Sequence, residues 1–259
     1  MKIKAAVFDL DGTLLRTEKF HWMAWNVALG PHKKEISREE YYKYAGKHGD
    51  EIEKILCEKY LLKIKKGEML KVKERQVKDW FAQGSLKRMP GAKEAVDYFS
   101  LRKIPVAVAT SCPRDEMEEK LKQIGAQNVF NVKISVEDVK NAKPAPDIYA
   151  LACEKMNSNP SETVAFEDTD VGVRAAVDAG LYVVAIPNEF TQGQDFSAAK
   201  IIAKDFDDAM QKLVEAKMIE KIVKKAVPFS EASDEEFEKD LKKFAKERGK
   251  DNSGGGIAG

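Results

Sequence analysis

Two aspartates lie two residues apart near the N-terminus, in residues 7–14 (VFDLDGTL). If the apolar residues before them form a strand, Asp9 and Asp11 point the same way, because alternate side chains share one face of a strand, and Gly12 lets the backbone turn away. When two carboxylates lie so near each other, they need a cation, a shared proton or both. A hydrated, aspartate-rich turn after an ordinary strand explains the same pattern, so other polar groups decide between these interpretations.

Two further segments offer groups that suit a phosphate. Thr110 and Ser111 follow the apolar run 104–109 and place a hydroxyl and loop amides where a phosphate oxygen could be held, although a threonine here is more often a helix cap. Lys143 precedes Pro144, which biases the lysine to an extended conformation and presents its ammonium from a rigid corner. A solvated surface group is the alternative interpretation of this lysine.

An acidic pair follows another apolar run. Residues 164–170 (VAFEDTD) pass from hydrophobic side chains into Glu167 and Asp168. Carboxylates are hard ligands of the kind that Mg²⁺ binds, one or two at a time, together with waters and phosphate oxygens. A solvated acidic loop is equally compatible with this segment alone, so the metal site depends on whether the chain brings these acids to Asp9.

The elements around these groups follow a parallel α/β pattern, in which short apolar runs alternate with longer helical segments. In such sheets ligands bind beyond the carboxyl ends of the strands, and each polar group described above lies at such an end. The predicted strands are residues 5–8, 104–109, 132–134, 164–166 and 182–186.

Between the first two predicted strands the sequence is mostly helical, with apolar residues spaced for helix faces. We therefore expect an α/β, Rossmann-like parallel sheet core formed by residues 1–16 and 87–225, with residues 17–86 inserted as an α-helical cap subdomain. The composition then shifts to Ser, Glu and Lys, and residues 226–259 are expected to form a short helix capped by Ser233 before becoming disordered.

Composition and net charge indicate what kind of molecule the protein binds. The 259 residues carry a formal net charge of +1, which favours neither nucleic acid nor a membrane surface, and no apolar stretch is long enough to span a bilayer. Three widely spaced cysteines and three histidines argue against zinc sites and a disulfide framework and fit a reducing cytosol. We expect a cytoplasmic monomer whose partner is a small molecule.

The order of these groups, each at a predicted strand end, resembles the haloacid dehalogenase superfamily of phosphotransferases over about residues 5–186. Three segments are most similar to its β-phosphoglucomutase subfamily: residues 18–25 (EKFHWMAW), 143–149 (KPAPDIY) and 167–172 (EDTDVG). The resemblance implies Mg²⁺-dependent phosphoryl transfer in this fold, with an inserted cap that closes over the site.

The resemblance also implies a role for each polar group. Asp9 would be the nucleophile that becomes an aspartyl phosphate, and Asp11 the general acid and base. Phosphate monoesters hydrolyse so slowly without a catalyst that charge neutralisation and a covalent intermediate are both useful. The implied phosphate-binding residues are Leu10, Thr110, Ser111 and Lys143. The implied Mg²⁺ ligands are Asp9, the backbone carbonyl of Asp11, Glu167 and Asp168.

Four cap residues are candidates for substrate contacts. His21 and Trp25 share a helix face by their i,i+4 spacing and could face the site, with an ordinary surface histidine and a buried tryptophan as the alternatives. In mutase relatives a cap arginine binds the second phosphate of the substrate, but Gly49 stands at that position here. Lys47 and His48 substitute only partly, because neither has the planar fork of a guanidinium group.

The missing arginine favours hydrolysis over isomerisation. We therefore expect an Mg²⁺-dependent phosphatase that acts on a small phosphorylated metabolite, a sugar or polyol phosphate. A β-phosphoglucomutase-type isomerase is the alternative. A non-catalytic binding or regulatory protein is a remote alternative, since such proteins usually lose a catalytic acid or the phosphate lysine, and this sequence keeps both.

Overall fold

A parallel sheet lies at the centre of the protein, for which a computed structural model describes residues 2–84 and 86–221. Its strands are β1 (Ala5–Phe8), β2 (Val106–Ala109), β3 (Val132–Ile134), β4 (Thr163–Glu167), β5 (Tyr182–Ala185) and β6 (Ile201–Ile202). The strand order is β3-β2-β1-β4-β5-β6, and every pair is parallel. The predicted Rossmann-like α/β fold is confirmed.

Helices surround the sheet and form an insertion after β1. The helical insertion, residues 18–82, contains α1 (Glu18–Leu29), α2 (Arg38–Tyr41), α3 (Gly49–Tyr60) and α4 (Glu68–Ala82). The other helices described are α5 (Ala92–Ser100), α6 (Arg114–Gln123), α7 (Asp147–Met156), α8 (Asp170–Asp178) and α9 (Phe206–Glu215).

Both faces of the sheet are buried, because alternate residues of β1 enter different hydrophobic clusters. Phe8 belongs to one cluster, where its ring stacks on that of Phe166 with centroids 4.8 Å apart, and Val7 belongs to the other. Every residue of β1 and β2 is 0% exposed. Double-sided burial explains why these strands are continuously apolar and fixes the position of their carboxyl ends.

The helical insertion has a hydrophobic cluster of its own, which includes Trp25 of α1 and Leu56 of α3. Phe190, from the loop after β5, joins this cluster. The Gln194 side chain, in the same loop, donates a hydrogen bond to the Ala45 carbonyl oxygen at 2.9 Å. The insertion therefore lies against a loop from the carboxyl edge of the sheet.

The observed strands agree with the predicted ones to within two residues at each end, but β6 was not predicted, because two residues show no periodicity. The predicted tail, residues 226–259 with its short helix, lies outside the described residues. In the described part of the chain, no helix is both long enough and apolar enough to cross a membrane. The division into core, cap and tail stays a prediction.

Candidate active site

The ends of β1 and β4 bring three carboxylates together. The two strands are adjacent, with Phe8 opposite Phe166, and the Asp9 N–H donates to the Phe166 carbonyl oxygen at 3.1 Å. Asp9, Glu167 and Asp168 meet at this edge, each 6% exposed or less, and their carboxylate oxygens lie within 4.8 Å of one another. These three residues are called the three-carboxylate cluster below.

Lys143 supplies positive charge to the three-carboxylate cluster. Its Nζ donates to Asp9 Oδ1 and to Glu167 Oε1, both at 2.6 Å, and to the Ala109 carbonyl oxygen at 3.2 Å. It also donates at 3.2 Å to the hydroxyl of Tyr149, which in turn donates to Glu167. Burial lowers the pKa of Lys143, but the Asp9 and Glu167 carboxylates outweigh burial and raise the pKa, so the lysine stays charged.

Asp168 is held by two neutral donors. Thr13 Oγ1 donates to Asp168 Oδ1 at 2.9 Å, and Asn188 Nδ2 donates to Asp168 Oδ2 at 2.7 Å. Asn188 also donates to the Gly12 carbonyl oxygen at 3.3 Å. Gly12 has a φ of +83°, and a Cβ at this position would collide with the Asp168 carboxylate. The turn after Asp11 therefore needs glycine, both for its backbone conformation and for the close approach of Asp168.

The three-carboxylate cluster carries more negative charge than Lys143 balances. Burial raises the pKa of Asp9 well above its ordinary value, which Lys143 opposes and the Glu167 carboxylate reinforces. Burial, then Asp9 and Glu167, also raise the pKa of Asp168. A hard divalent cation bound by these oxygens would relieve the surplus charge, so the cluster could hold such a metal ion.

Asp11 lies in different surroundings. Both of its carboxylate oxygens accept hydrogen bonds from Lys120 Nζ, at 2.6 and 2.8 Å, and Lys120, in α6, is 1% exposed. Lys120 also pairs with Glu116, one helical turn earlier, at 2.5 Å. Burial raises the pKa of Asp11, but the charge of Lys120 outweighs burial and brings the pKa below its ordinary value. The two neighbouring aspartates thus have opposite electrostatic environments.

The predicted phosphate-binding residues other than Lys143 lie after β1 and β2. Thr110 is 1% exposed, and its hydroxyl accepts a hydrogen bond from the Cys112 N–H at 3.2 Å, which forms a turn at the end of β2. Ser111 is exposed. The Leu10 side chain is 0% exposed and lies in the core, so only the backbone of this residue is available to a ligand.

Titratable side chains of the helical insertion lie beside Asp11. Glu18 accepts a hydrogen bond from the Tyr41 hydroxyl at 3.1 Å, and burial, reinforced by the Asp11 charge, raises the pKa of Glu18 to about 7. Burial and the Lys73 charge lower the pKa of His21, so its ring is neutral. The buried Nδ1 atom of His21 has no hydrogen-bond partner among residues 2–84 and 86–221. His21 is therefore the predicted cap residue that the structure places near Asp11.

The structure corrects the prediction that Trp25 faces the site. Trp25 is 1% exposed and packs inside the insertion, because α1 buries this side chain together with its apolar residues. Lys47 pairs with Glu51 of α3, and the His48 ring accepts a hydrogen bond from the Asp50 N–H at 3.4 Å as the cap of the same helix. These contacts engage Lys47 and His48 within the insertion, and their substrate roles stay predictions.

Several residues that bind or position the acids cannot be identified from the sequence motifs. Lys120 and Glu116 have the spacing of an ordinary exposed helix pair. The available signal is that Lys120 lies three residues after Met117, on the apolar side of α6. Thr13 directly follows the aspartate segment, and Asn188 follows the last predicted strand, where the rule on carboxyl ends also applies.

Acids and two lysines, Lys120 and Lys143, meet at the carboxyl edge of the sheet, and this arrangement agrees with the phosphotransferase type of hydrolase suggested by the sequence. The profile of the haloacid dehalogenase-like hydrolase family matches residues 6–186, which is more than half of the chain. The chain therefore belongs to the haloacid dehalogenase-like hydrolase family. The predicted family and the predicted enzyme class are confirmed.

Individual relatives agree with this assignment. A phosphorylated carbohydrates phosphatase of Thermotoga maritima is 32% identical over 179 residues, which cover 69% of this chain and 82% of that protein. A mutant of CbbY from Rhodobacter sphaeroides, solved in complex with xylulose-(1,5)bisphosphate, superposes with a TM-score of 0.69 at 27% identity and covers 79% of this chain and 95% of that one. A putative beta-phosphoglucomutase from Thermotoga maritima has a TM-score of 0.67 at 30% identity, with coverages of 83% and 99%.

Proposed function

We propose that this protein is an Mg²⁺-dependent phosphatase that hydrolyses a small sugar or polyol phosphate through an aspartyl phosphate on Asp9. The observation that carries the proposal is the contrast between two acids. Asp9 lies in the three-carboxylate cluster beside Lys143, whereas Asp11 is bound by Lys120. A nucleophile toward phosphorus needs neighbouring positive charge, and a proton carrier needs a carboxylate that is not consumed as a metal ligand.

In the first half of the proposed reaction, a carboxylate oxygen of Asp9 attacks the phosphorus atom. The bond from phosphorus to the ester oxygen breaks, and the ester oxygen takes a proton from the protonated form of Asp11 as it leaves; this proton is the one that Asp11 gains from water in the second half of the preceding cycle. In the second half, Asp11 accepts a proton from water while the water oxygen attacks phosphorus. The bond between phosphorus and Asp9 then breaks, which releases inorganic phosphate and restores the free carboxylate.

Lys143 is the proposed main partner of the phosphoryl oxygens, since its Nζ already bonds Asp9 Oδ1 at 2.6 Å. The Thr110 hydroxyl and the backbone amides of Leu10 and Ser111 are the further proposed donors. The burial of the Leu10 side chain supports a backbone contact at that residue. Phosphoryl transfer depends mainly on positioning and charge stabilisation, which such fixed donors provide.

The proposed ligands of Mg²⁺ are Asp9, Glu167, Asp168 and the backbone carbonyl of Asp11. The surplus negative charge of the three-carboxylate cluster supports this assignment. The bound ion would supply positive charge that keeps Asp9 ionised and reduces its repulsion of the phosphate dianion. Thr13 and Asn188 would orient Asp168 for this role, because hydrogen bonds to a ligand fix its direction.

We propose that residues 17–86 act as a cap that selects the leaving group, over a core of residues 1–16 and 87–225. Support comes from Glu18 and His21, which lie on the insertion side of Asp11, where the leaving group would depart. A carboxyl group and a neutral imidazole can both hydrogen-bond the hydroxyl groups of a sugar or polyol. The relative named for phosphorylated carbohydrates supports the same substrate class.

The mutase alternative has less support. A Cβ at Gly49 would lie 2.5 Å from Leu70 Cδ1, between α3 and α4, so an arginine at position 49 would first have to displace Leu70. With β-glucose 1-phosphate and a bisphosphate primer, we expect release of inorganic phosphate and little glucose 6-phosphate. Formation of glucose 6-phosphate in excess of phosphate release would favour the mutase. The presence of Asp9, Glu167 and Asp168 also argues against a non-catalytic role.

The near-zero net charge supports a small molecule, and not nucleic acid, as the partner. Cys57, Cys112 and Cys153 are free thiols, which is consistent with the cytoplasmic location that we propose. We also propose that the protein acts as a monomer.

The direct test of the function is phosphate release from p-nitrophenyl phosphate with and without Mg²⁺, followed by a panel of sugar and polyol phosphates. We expect release that requires Mg²⁺ and is fastest with one or a few members of the panel. Release that is unchanged after chelation of divalent cations would contradict the metal requirement. No release from any phosphate ester would contradict the proposed function itself.

A further inference from the structure

We propose that Lys120 is a positioning residue of this site: it holds the Asp11 carboxylate outside the three-carboxylate cluster, turned for proton exchange with the leaving group and water. This inference rests on the proposed function and adds a residue to it. Lys120 lies in α6, away from the segments that carry the site motifs.

The contact between Lys120 and Asp11 fixes the orientation of the carboxylate. One nitrogen, Lys120 Nζ, donates to both oxygens of Asp11, at 2.6 and 2.8 Å. Two hydrogen bonds to the same ammonium restrain rotation about the last bond of the Asp11 side chain, which a single bond would leave free. The plane of the proposed proton carrier is therefore set by Lys120.

Lys120 is itself held from several sides. Glu116 pairs with it along α6 at 2.5 Å, and Nζ lies 5.0 Å from the ring centroid of Phe81, at the end of α4 in the helical insertion. With 1% of its surface exposed, the lysine is shielded from direct contact with a substrate. Its influence on the reaction must therefore pass through Asp11, which makes it a positioning residue.

Lys120 also lowers the attraction of a second acidic group for cations. Asp11, Cys112 and Glu116 have potential ligand atoms within 4.8 Å of one another, a second group at this edge that could hold a metal ion. Lys120 already pairs with both carboxylates of that group. A divalent cation is thereby directed to the three-carboxylate cluster, and the side chain of Asp11 stays free of metal.

The test is the steady-state turnover of p-nitrophenyl phosphate by Lys120→Met, which removes the charge but keeps an unbranched side chain. We expect kcat to fall about 10²-fold, because breakdown of the phosphoenzyme needs Asp11 in position. We expect kcat/KM to change less than about fivefold, because the first transfer expels a good leaving group that does not need a proton donor.

Lys133→Met is the matched control. Lys133, in β3, pairs with Glu118 of α6 at 2.8 Å, so this variant removes another lysine that is bound to the same helix. We expect it to leave kcat within about twofold of the wild-type value. Thermal melts followed by circular dichroism verify folding, and if Lys120→Met does not fold, Lys120→Gln, which keeps one donor for Asp11, is measured in its place.

A double-mutant cycle separates positioning from general support of the fold. If Lys120 acts through Asp11, Lys120→Met lowers kcat by less than about threefold in an Asp11→Asn background. An equal factor in both backgrounds, an equal fall of kcat and kcat/KM, or an unchanged kcat would each overturn the inference. Absence of phosphatase activity in the wild-type protein would overturn the proposed function. Wild-type activity that Lys120→Met leaves unchanged would overturn this inference alone.

Discussion

The two groups of acids at the carboxyl edge of the sheet differ in their balance of charge. In the three-carboxylate cluster, Lys143 pairs with Asp9 and Glu167 but not with Asp168, and burial with mutual repulsion raises the pKa of Asp9 and of Asp168. Beside α6, Lys120 binds both oxygens of Asp11 and also pairs with Glu116. The pKa of Asp11 falls below its ordinary value despite burial.

Spacing in the sequence therefore does not determine the chemistry of a carboxylate. Asp9 and Asp11 are two residues apart and both largely buried, yet one lies where positive charge is lacking and the other where it is already supplied. The first arrangement attracts a divalent cation, whose charge would in turn bind a phosphate, and the second leaves a carboxylate available for protons. Five variants and one trapping experiment test this division.

The largest expected effect comes from Asp9→Asn. We expect the rate of p-nitrophenyl phosphate hydrolysis to fall by about 10⁴-fold or more, because the nearly isosteric amide is a poor nucleophile. The matched control is Asp170→Asn, since Asp170 pairs with Arg174 on the exposed side of α8 and should leave the rate unchanged. Comparable rates for Asp9→Asn and the control would contradict the covalent mechanism.

Asp168→Asn and Asp11→Asn separate the two groups directly. In calorimetric titrations we expect Asp168→Asn to weaken Mg²⁺ binding by at least about 10²-fold, because a charged ligand is lost. We expect Asp11→Asn to keep Mg²⁺ affinity while kcat falls about 10²–10⁴-fold, because the proposed metal contact of Asp11 is its backbone carbonyl. An equal loss of Mg²⁺ binding in both variants would show that the division is wrong.

Asn188→Ala should act more weakly and only on the three-carboxylate cluster. The variant removes a donor to Asp168 Oδ2 but leaves Thr13 on the other oxygen. We expect an approximately tenfold loss of Mg²⁺ affinity, the order found when an outer partner of a metal ligand is removed. Asn141→Ala, which removes an exposed hydrogen bond to Asp147, is the control and should bind Mg²⁺ normally.

Glu18→Gln should change stability with pH. Burial and the Asp11 charge raise the pKa of Glu18 from 4.5 to about 7, so the native state keeps a proton that the unfolded state has lost. The stabilisation is fully present below pH 4.5 and is lost as pH rises through about 7. Relative to wild type, the free energy of unfolding of Glu18→Gln should therefore increase by up to about 3 kcal/mol between pH 4.5 and pH 8.

Chemical denaturation at a series of pH values measures this difference. A constant difference between the two proteins across the range would show that folding does not raise the pKa of Glu18. In that case Asp11 would have no uncharged acid beside it on the insertion side of the site.

The sheet and the acids of the site could be predicted because both depend on local sequence. Continuous apolar runs identify β1 and β4, and the rule that ligands bind at carboxyl ends then places Asp9 beside Glu167. Lys143 was identified through its fixed position before Pro144. Its ion pairs to Asp9 and Glu167 are a consequence of that placement.

The remaining features depend on packing between distant segments. Helical spacing shows that His21 and Trp25 share a face, but not which face meets the site, and Trp25 is buried within the insertion. The pairing of Lys120 with Asp11 joins residues that lie 109 positions apart. Gly49 identifies a missing arginine, whereas its contact with Leu70 emerges only once α3 and α4 are packed.

Identification of the phosphorylated residue tests the central claim most directly. Asp11→Asn is mixed with p-nitrophenyl phosphate and Mg²⁺, quenched in acid during turnover and reduced with borohydride, which converts an aspartyl phosphate to homoserine. Peptide mass mapping should find homoserine at position 9 and none after the same treatment of the Asp9→Asn, Asp11→Asn double variant. Unmodified Asp9 in a protein that has released a stoichiometric burst of p-nitrophenol, or homoserine at another aspartate, would contradict the account.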